Sequence, residues 1–497
     1  MANKPVFIHS LFRTGSTYIW NKFRQSDRYC CYYEPFHHIF SHVDTRNLKD
    51  ALTKNFNAVK HPRLDKYYLF EYEQVIEAAG QVAAGSGHST PVGEAGPPRA
   101  ITPSPTGGAE GKGMPYFKKS FSFDEFCFNG DNPDLKAYID FLIAAAGDKT
   151  PLFQFNRSSL RTGWFRDNYP GSLNFYLARN PRHQWQSYIE LYERTHYLSF
   201  FVMDLLIAGI NEDSDGYRVL SRHLPLIKYE DCSVNHEISF YQLIQDAYSP
   251  EEQYLIFYYT WFLAFIENVC RADSVISIDL LCADTGYRED INARFKDWGI
   301  QGVNFADCKI PTYSRCALPV KTMENIESKV QKMLLTALSP EKFATLLDRL
   351  PSPDAGYFGF RRDKFLRYRS AKLKKVTTPQ QAVEKYRQMV VTAAKELFRQ
   401  IDAFESRENR LQALQGIRLR LDESTRKLEQ ARDEKKELQR RLKENEAQRE
   451  KMAQANHALR EQNRAHREQV RVMRNSLSWK LTAPFRRLNK LIKPRKK

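Results

Sequence analysis

The sequence predicts an α/β layer protein, a central parallel sheet flanked by helices, followed by a long C-terminal helix of coiled-coil type. Three observations predict it. Short apolar runs alternate with helical stretches through the first 320 residues. One of those runs feeds directly into a Gly-Ser-Thr loop and a helix. From residue 414 onward, apolar positions recur with a heptad period.

Pro5 to Ser10 (PVFIHS) is the first strand candidate, and Arg13, Thr14, Gly15, Ser16 and Thr17 follow it at once. Tyr18 to Arg24 has helical spacing, so the unit reads strand, tight loop, helix. Tyr29 to Tyr33 is a second strand, ending in Glu34-Pro35. Residues 81–113 are rich in Gly, Pro, Ser and Ala with little to bury, and read as a flexible surface insertion. Pro151 to Phe155, Ser172 to Ala178 and Ser274 to Asp279 are further strands, the first two each followed by a helical stretch. Leu255 to Ile266 is the most apolar run, but its 12 residues are too few to span a bilayer and predict a buried core helix. Residues 361–375 are basic and lead towards the tail.

A heptad register from Leu414 to Met473 places Leu414, Leu421, Leu428, Leu442 and Val470 at a positions. Ile417, Leu438, Met452, Leu459 and Met473 fall at d. Lys435, Arg449, Asn456, Asn463, Asn445 and His466 interrupt the seam, which suits a long helix better than a tight oligomer. The expected organisation is a catalytic domain over 1–375, a helical linker over 376–410, a coiled coil over 411–473 and a basic amphipathic tail over 474–497.

Net charge is +17, and it is unevenly spread. Residues 401–497 carry 27 Lys and Arg against 14 Asp and Glu, whereas the first 400 are nearly balanced. A basic tail points to an anionic partner. None of the eight cysteines forms a CxxC pair, so no zinc-ribbon spacing is present, and reduced structural thiols are expected. MANKPVFIHS has no long apolar stretch and does not read as a signal peptide.

The loop Ser10-Leu11-Phe12-Arg13-Thr14-Gly15-Ser16-Thr17 carries chemistry. A strand-to-helix loop gathers backbone N–H groups and the positive helix end at one point, which suits a phosphate. Gly15 permits close approach, Ser16 and Thr17 add hydroxyl donors, and Arg13 adds a planar cationic fork. The loop is of P-loop type without being a Walker A, because Ser16 stands where that motif needs Lys after its second Gly. A nucleotide donor that reacts without metal fits such a cradle. The second motif is Leu177-Ala178-Arg179-Asn180-Pro181-Arg182, with Ser187 about two helical turns on. Arg179 and Ser187 can grip a second phosphate.

Together, FRTGSTY and LARNP with its downstream Ser187 resemble the motifs of the sulfotransferases that use 3′-phosphoadenosine 5′-phosphosulfate (PAPS), in the Arg-containing form seen in carbohydrate sulfotransferases. The resemblance covers roughly residues 1–320. It implies that Arg13, Thr14, Gly15, Ser16 and Thr17 hold the 5′-phosphosulfate, that Arg179 and Ser187 hold the 3′-phosphate, and that no metal takes part. The downstream Arg-Lys-Gly loop of the cytosolic small-molecule branch has no counterpart, so a third nucleotide contact stays unassigned.

Sulfuryl transfer needs a base for the acceptor hydroxyl. Glu34, at the C-terminal end of the second strand, is the candidate, and the Glu-Pro pair is similar to that of carbohydrate sulfotransferases. His37 and His38 are the next candidates. Replacing Arg13 or Glu34 by Ala is expected to abolish transfer without unfolding the chain. The resemblance implies a glycan or glycolipid acceptor, and the lack of a signal-peptide pattern and of a bilayer-long apolar run predicts an enzyme in the cytoplasm, where PAPS is made.

In the far C-terminus, Trp479, Leu481, Phe485, Leu488, Leu491 and Ile492 interleave with Lys and Arg, and no acid follows Glu468. Such a segment suits the surface of an anionic membrane, at about 1 kcal/mol per basic residue. SLSWKLTAPFRRL is similar to a segment that ends many bacterial glycan-assembly proteins. No nucleic-acid fold accompanies the tail. Two other readings are a coiled-coil scaffold with an inactive nucleotide domain and a P-loop phosphotransferase.

Overall fold

The computed structural model describes residues 4–41, 70–76, 113–193, 199–224, 248–309, 318–350, 362–369 and 460–473 in full, with the backbone of 194, 195 and 370 and single positions besides. The predicted insertion, apart from Gly113, and the basic tail lie outside the described residues, as does most of the heptad segment. The chain divides into two units, 1–398 and 399–497.

Five strands form one parallel sheet in the order β2-β3-β1-β4-β5: β1 (Val6–Ser10), β2 (Tyr29–Tyr33), β3 (Thr150–Phe155), β4 (Leu173–Ala178) and β5 (Ser274–Ser277). The strands start within a residue of the sequence reading. The exception is the end of β5: Ile278 and Asp279, expected to be extended, open a helix instead. The cause is local, because the Ser277 hydroxyl accepts the Leu280 N–H and caps that helix.

Both faces of the sheet are covered, which explains why the strands read as continuous apolar runs. Helix α1 is Ser16–Arg24, α2 is Pro133–Ala145, α3 is Thr162–Asn168 and α4 is Pro181–Thr195. On one face Phe7, Phe153 and Phe155 form a ring cluster with Phe165 of α3, Phe7 lying 4.7 Å from Phe165 between centroids. On the other face Phe175 stacks on Phe295 at 5.2 Å, and Phe295 meets Phe23 of α1 at 5.9 Å.

The chain continues through α5 (Phe201–Ile210) and α6 (Pro250–Arg271), then α7 (Ile278–Ala283), α8 (Thr285–Asp297), α9 (Val320–Ala337), α10 (Pro340–Arg349) and α11 (Arg362–Ser370). The long apolar run is the middle of α6 and is buried, as its length predicts. Ser249 and Glu252 close a capping box at its start, with Pro250 in the first turn. Its rings pack on α4, where Trp185 lies 5.2 Å from Phe257, and on Phe360, 5.9 Å from Trp261. Among the described residues no helix is long and apolar enough to cross a membrane. Cys30, Cys31, Cys127, Cys270, Cys282 and Cys308 are free thiols.

In the second unit, residues 460–473 are helical and almost wholly exposed, Val472 and Met473 included. Arg464 and Glu461, and Arg471 and Glu468, pair along its surface.

His9, buried in β1, supplies a pH test of this fold. Its ring stacks on Phe155 and bonds Ser158 (2.6 Å) and Asn174 (3.3 Å). Burial lowers its pKa from 6.5 to about 4. Between those values the unfolded chain takes up the proton and the folded chain does not. The stability that depends on a neutral His9 is therefore complete above pH 6.5 and lost as pH falls towards 4, by about 3 kcal/mol in all. Denaturant titrations at stepped pH should show this slope, and His9→Gln should flatten it. An equal slope in the variant would exclude His9 as its source.

Candidate functional site

The connection after β1 runs to one side of the sheet, through α1 to β2, whereas the connection after β4 runs to the other side. β1 and β4 are neighbours. Loops that diverge from the carboxyl ends of adjacent strands leave a crevice, the usual ligand position in open α/β sheets. Both oxyanion motifs stand at this point.

The loop after β1 is wound tightly. Arg13 and Gly15 both have left-handed backbone, at φ 62° and 96°. Gly15 is required there: besides the backbone strain, a Cβ would stand 3.3 Å from Ile278 Cγ2. Arg13 is not glycine, and strained non-glycine residues cluster at functional sites. The other non-glycine residues with positive φ among those described are Glu34, Tyr116 and Phe358, so Arg13 and Glu34 both belong to this small set.

Two carbonyls of the loop are tied to the β4 side. Gln184 Nε2 donates to the Phe12 carbonyl at 2.7 Å, and Arg179 Nη1 donates to the Arg13 carbonyl at 3.1 Å. A trans peptide points its N–H opposite to its C=O. The N–H groups of Arg13 and Thr14 are therefore turned away from those ties. Helix α1 follows with no acidic residue in its first turn and no side-chain cap from Gly15, which leaves its positive end open. Arg13 Nε donates to Ser187 Oγ at 3.1 Å, and its guanidinium lies 5.8 Å from the Phe200 ring. The structure thus brings Arg13, Gly15, Arg179 and Ser187 together.

The hydroxyls of the loop are placed differently from expectation. Thr14 is buried and donates to the Leu11 carbonyl at 3.0 Å, so its hydroxyl braces the loop. Ser16 donates to Asn156 Oδ1 at 3.2 Å, and Thr17 shares a 3.0 Å bond with the Tyr33 hydroxyl. In this arrangement all three hydroxyls have partners within the protein.

Glu34 lies at the end of β2, and the Thr17–Tyr33 bond ties that strand end to α1. Its carboxylate accepts Arg157 Nη1 at 2.7 Å, with both side chains almost fully buried. Burial pushes the Glu34 carboxyl above its ordinary range, against the opposing pull of Arg157, the Asn156 N–H and Gln154. Arg157 is lowered by the same burial. Its guanidinium is sandwiched between Phe12 and Phe123, at 5.2 and 5.0 Å. His37 and His38 stack at 4.4 Å, and burial holds the His37 ring well below its ordinary pKa, with His38 and Arg157 adding to the effect.

Sequence reasoning missed Asn156 and Arg157. Asn156 Oδ1 accepts from Ser10 (2.6 Å), Gln154 (3.0 Å) and Ser16, linking β1, β3 and α1 beneath the loop. The available signal was position: Asn-Arg follows β3 directly, at the same carboxyl edge as the two motifs that were noticed. A separate cavity of about 380 Å³ lies at the opposite end of the sheet, beside Lys4, Tyr29, Gly171 and Trp298, away from the arginines.

Comparison of the chain with protein-family models, with curated proteins and with solved structures found no match.

Proposed function

We propose that the chain is a sulfotransferase that moves the sulfuryl group of PAPS to a hydroxyl of a glycan or glycolipid. One observation carries the reading. Two oxyanion-binding motifs 166 residues apart meet through Arg179 and the Arg13 carbonyl at the switch point of a parallel sheet. A ligand with a phosphate at each end, such as an adenosine 3′,5′-bisphosphate derivative, suits two such motifs placed side by side.

In the proposed reaction Glu34 takes the proton of the acceptor hydroxyl as its oxygen attacks sulfur. The bond from sulfur to the bridging oxygen breaks, and adenosine 3′,5′-bisphosphate leaves. Arg13 and the loop N–H groups stabilise the charge that gathers on the sulfuryl and bridging oxygens. Arg179 and Ser187 hold the 3′-phosphate. In this reaction the acceptor must reach a carboxyl that is 3% exposed.

Transfer of labelled sulfate from PAPS into a panel of free and lipid-linked glycans tests the reading. Incorporation without added Mg²⁺ is expected. No incorporation, with no retention on immobilised adenosine 3′,5′-bisphosphate, would overturn it.

The heptad seam over 411–473 is proposed to associate loosely with further copies of the chain, in a number the polar seam does not fix, and the 474–497 tail to rest on anionic lipid at a cytoplasmic membrane face. The exposed 460–473 helix supports the first, and the clustered Lys and Arg support the second. Sedimentation equilibrium tests the association. Co-sedimentation with vesicles containing phosphatidylserine, lost when 474–497 is deleted, tests the tail.

A further inference from the structure

The third wall of the arginine corner is the junction of β5 and α7. Ile278 packs against Gly15, and the next residue, Asp279, reaches the other motif. Asp279 Oδ2 accepts the backbone N–H of Asn180, and Oδ1 lies 2.8 Å from Nδ1 of His183. On the opposite side of the same peptide, the Arg179 carbonyl accepts the indole N–H of Trp261 at 3.1 Å. The peptide between Arg179 and Asn180 is therefore held at its oxygen from α6 and at its hydrogen from α7.

This matters because the peptide is planar. Holding both ends of its dipole restricts how that plane can turn, and with it the backbone from which the Arg179 side chain extends. Asn180 is also the cap of α4, since its side chain accepts the Arg182 N–H at 3.0 Å. Its own N–H falls outside the helix and needs an outside acceptor, which Asp279 provides. Both carboxylate oxygens are engaged, one by the amide and one by His183. Asp279 is thus committed to the protein rather than presented to an anion.

We propose that Asp279 is a positioning residue for the 3′-phosphate end of the nucleotide, acting through the Arg179–Asn180 peptide. The proposal rests on the sulfotransferase reading, and its test separates the two. Dissociation constants of the full chain are measured by calorimetry for adenosine 3′,5′-bisphosphate and for adenosine 5′-monophosphate, which lacks the 3′-phosphate.

The native chain is expected to prefer the bisphosphate by about tenfold or more, the worth of one charge-assisted contact. Arg179→Ala removes the preference. Asp279→Ala should remove most of it while leaving monophosphate binding unchanged, and should add nothing in the Arg179→Ala background. Asp279→Asn keeps an acceptor oxygen for the Asn180 N–H and should keep the preference. An undiminished preference in Asp279→Ala, or an equal loss for both ligands, overturns the proposal. So does loss of the preference in Asp279→Asn, the variant that carries the test if alanine prevents folding. No preference in the native chain would instead remove the PAPS reading, and this inference with it.

Discussion

Arg13→Ala is expected to slow sulfuryl transfer by about 10²–10³-fold, the usual cost of deleting one preorganised oxyanion donor. On the proposed mechanism the loss should fall on kcat more than on KM for PAPS, because the charge assigned to Arg13 would grow only as the bond from sulfur to the bridging oxygen breaks. Two features of the structure sharpen the test. First, Arg13 has φ 62°, so alanine inherits the left-handed strain and glycine does not. Arg13→Gly should therefore lose as much activity while being no less stable than Arg13→Ala. Second, Arg13 Nε bonds Ser187 at 3.1 Å, a contact that lysine cannot reproduce. Arg13→Lys should retain a charge yet still be defective. Transfer within threefold of the native rate in Arg13→Ala would remove Arg13 from the mechanism.

Glu34→Gln is expected to cost about 10²–10⁴-fold in transfer, the span typical of a lost general base. Glutamine is the informative replacement because the structure corrects one expectation drawn from the sequence. Glu34→Ala is expected to destabilise the fold. It would strand the buried Arg157 guanidinium, and breaking such a pair costs about 3–5 kcal/mol. A glutamine oxygen still accepts from Arg157.

The pH profile gives an independent check. Burial raises the Glu34 carboxyl above its ordinary value of 4.5. The base is active when deprotonated, so kcat/KM should fall as pH drops through that raised value, higher than an ordinary carboxylate would place it. Glu34→Gln should abolish this acid limb. A limb that persists unchanged in the variant assigns the proton to another group. His37 is the neighbour to examine next, and its strongly lowered pKa predicts a limb well below the usual imidazole range.

Much of the fold could be read from the chain because its signals are local. A continuous apolar run such as VFIHS or LNFYLA is a strand buried on both faces, and the Gly, Ser and Thr that follow VFIHS announce a turn into a helix. The arginine motifs were legible for the same reason: Arg13 with Gly15, and Arg179 with Ser187, each lie within one strand-loop-helix unit. The end of β5 was misread because SVISID is apolar enough to continue as a strand, and one serine cap decides otherwise.

What the sequence by itself determined was the class of the sheet and the place of two Arg-bearing strand-to-helix loops, for which oxyanion binding is proposed. Only the tertiary structure decided that the two loops meet, that Glu34 is paired with Arg157 across 123 residues, and that Asp279 accepts a backbone N–H 99 residues away. The division has a physical basis. Backbone geometry is set by neighbours along the chain, whereas a buried charge is settled by whatever partner the packed sheet brings within about 3 Å, and sequence spacing carries no record of that distance.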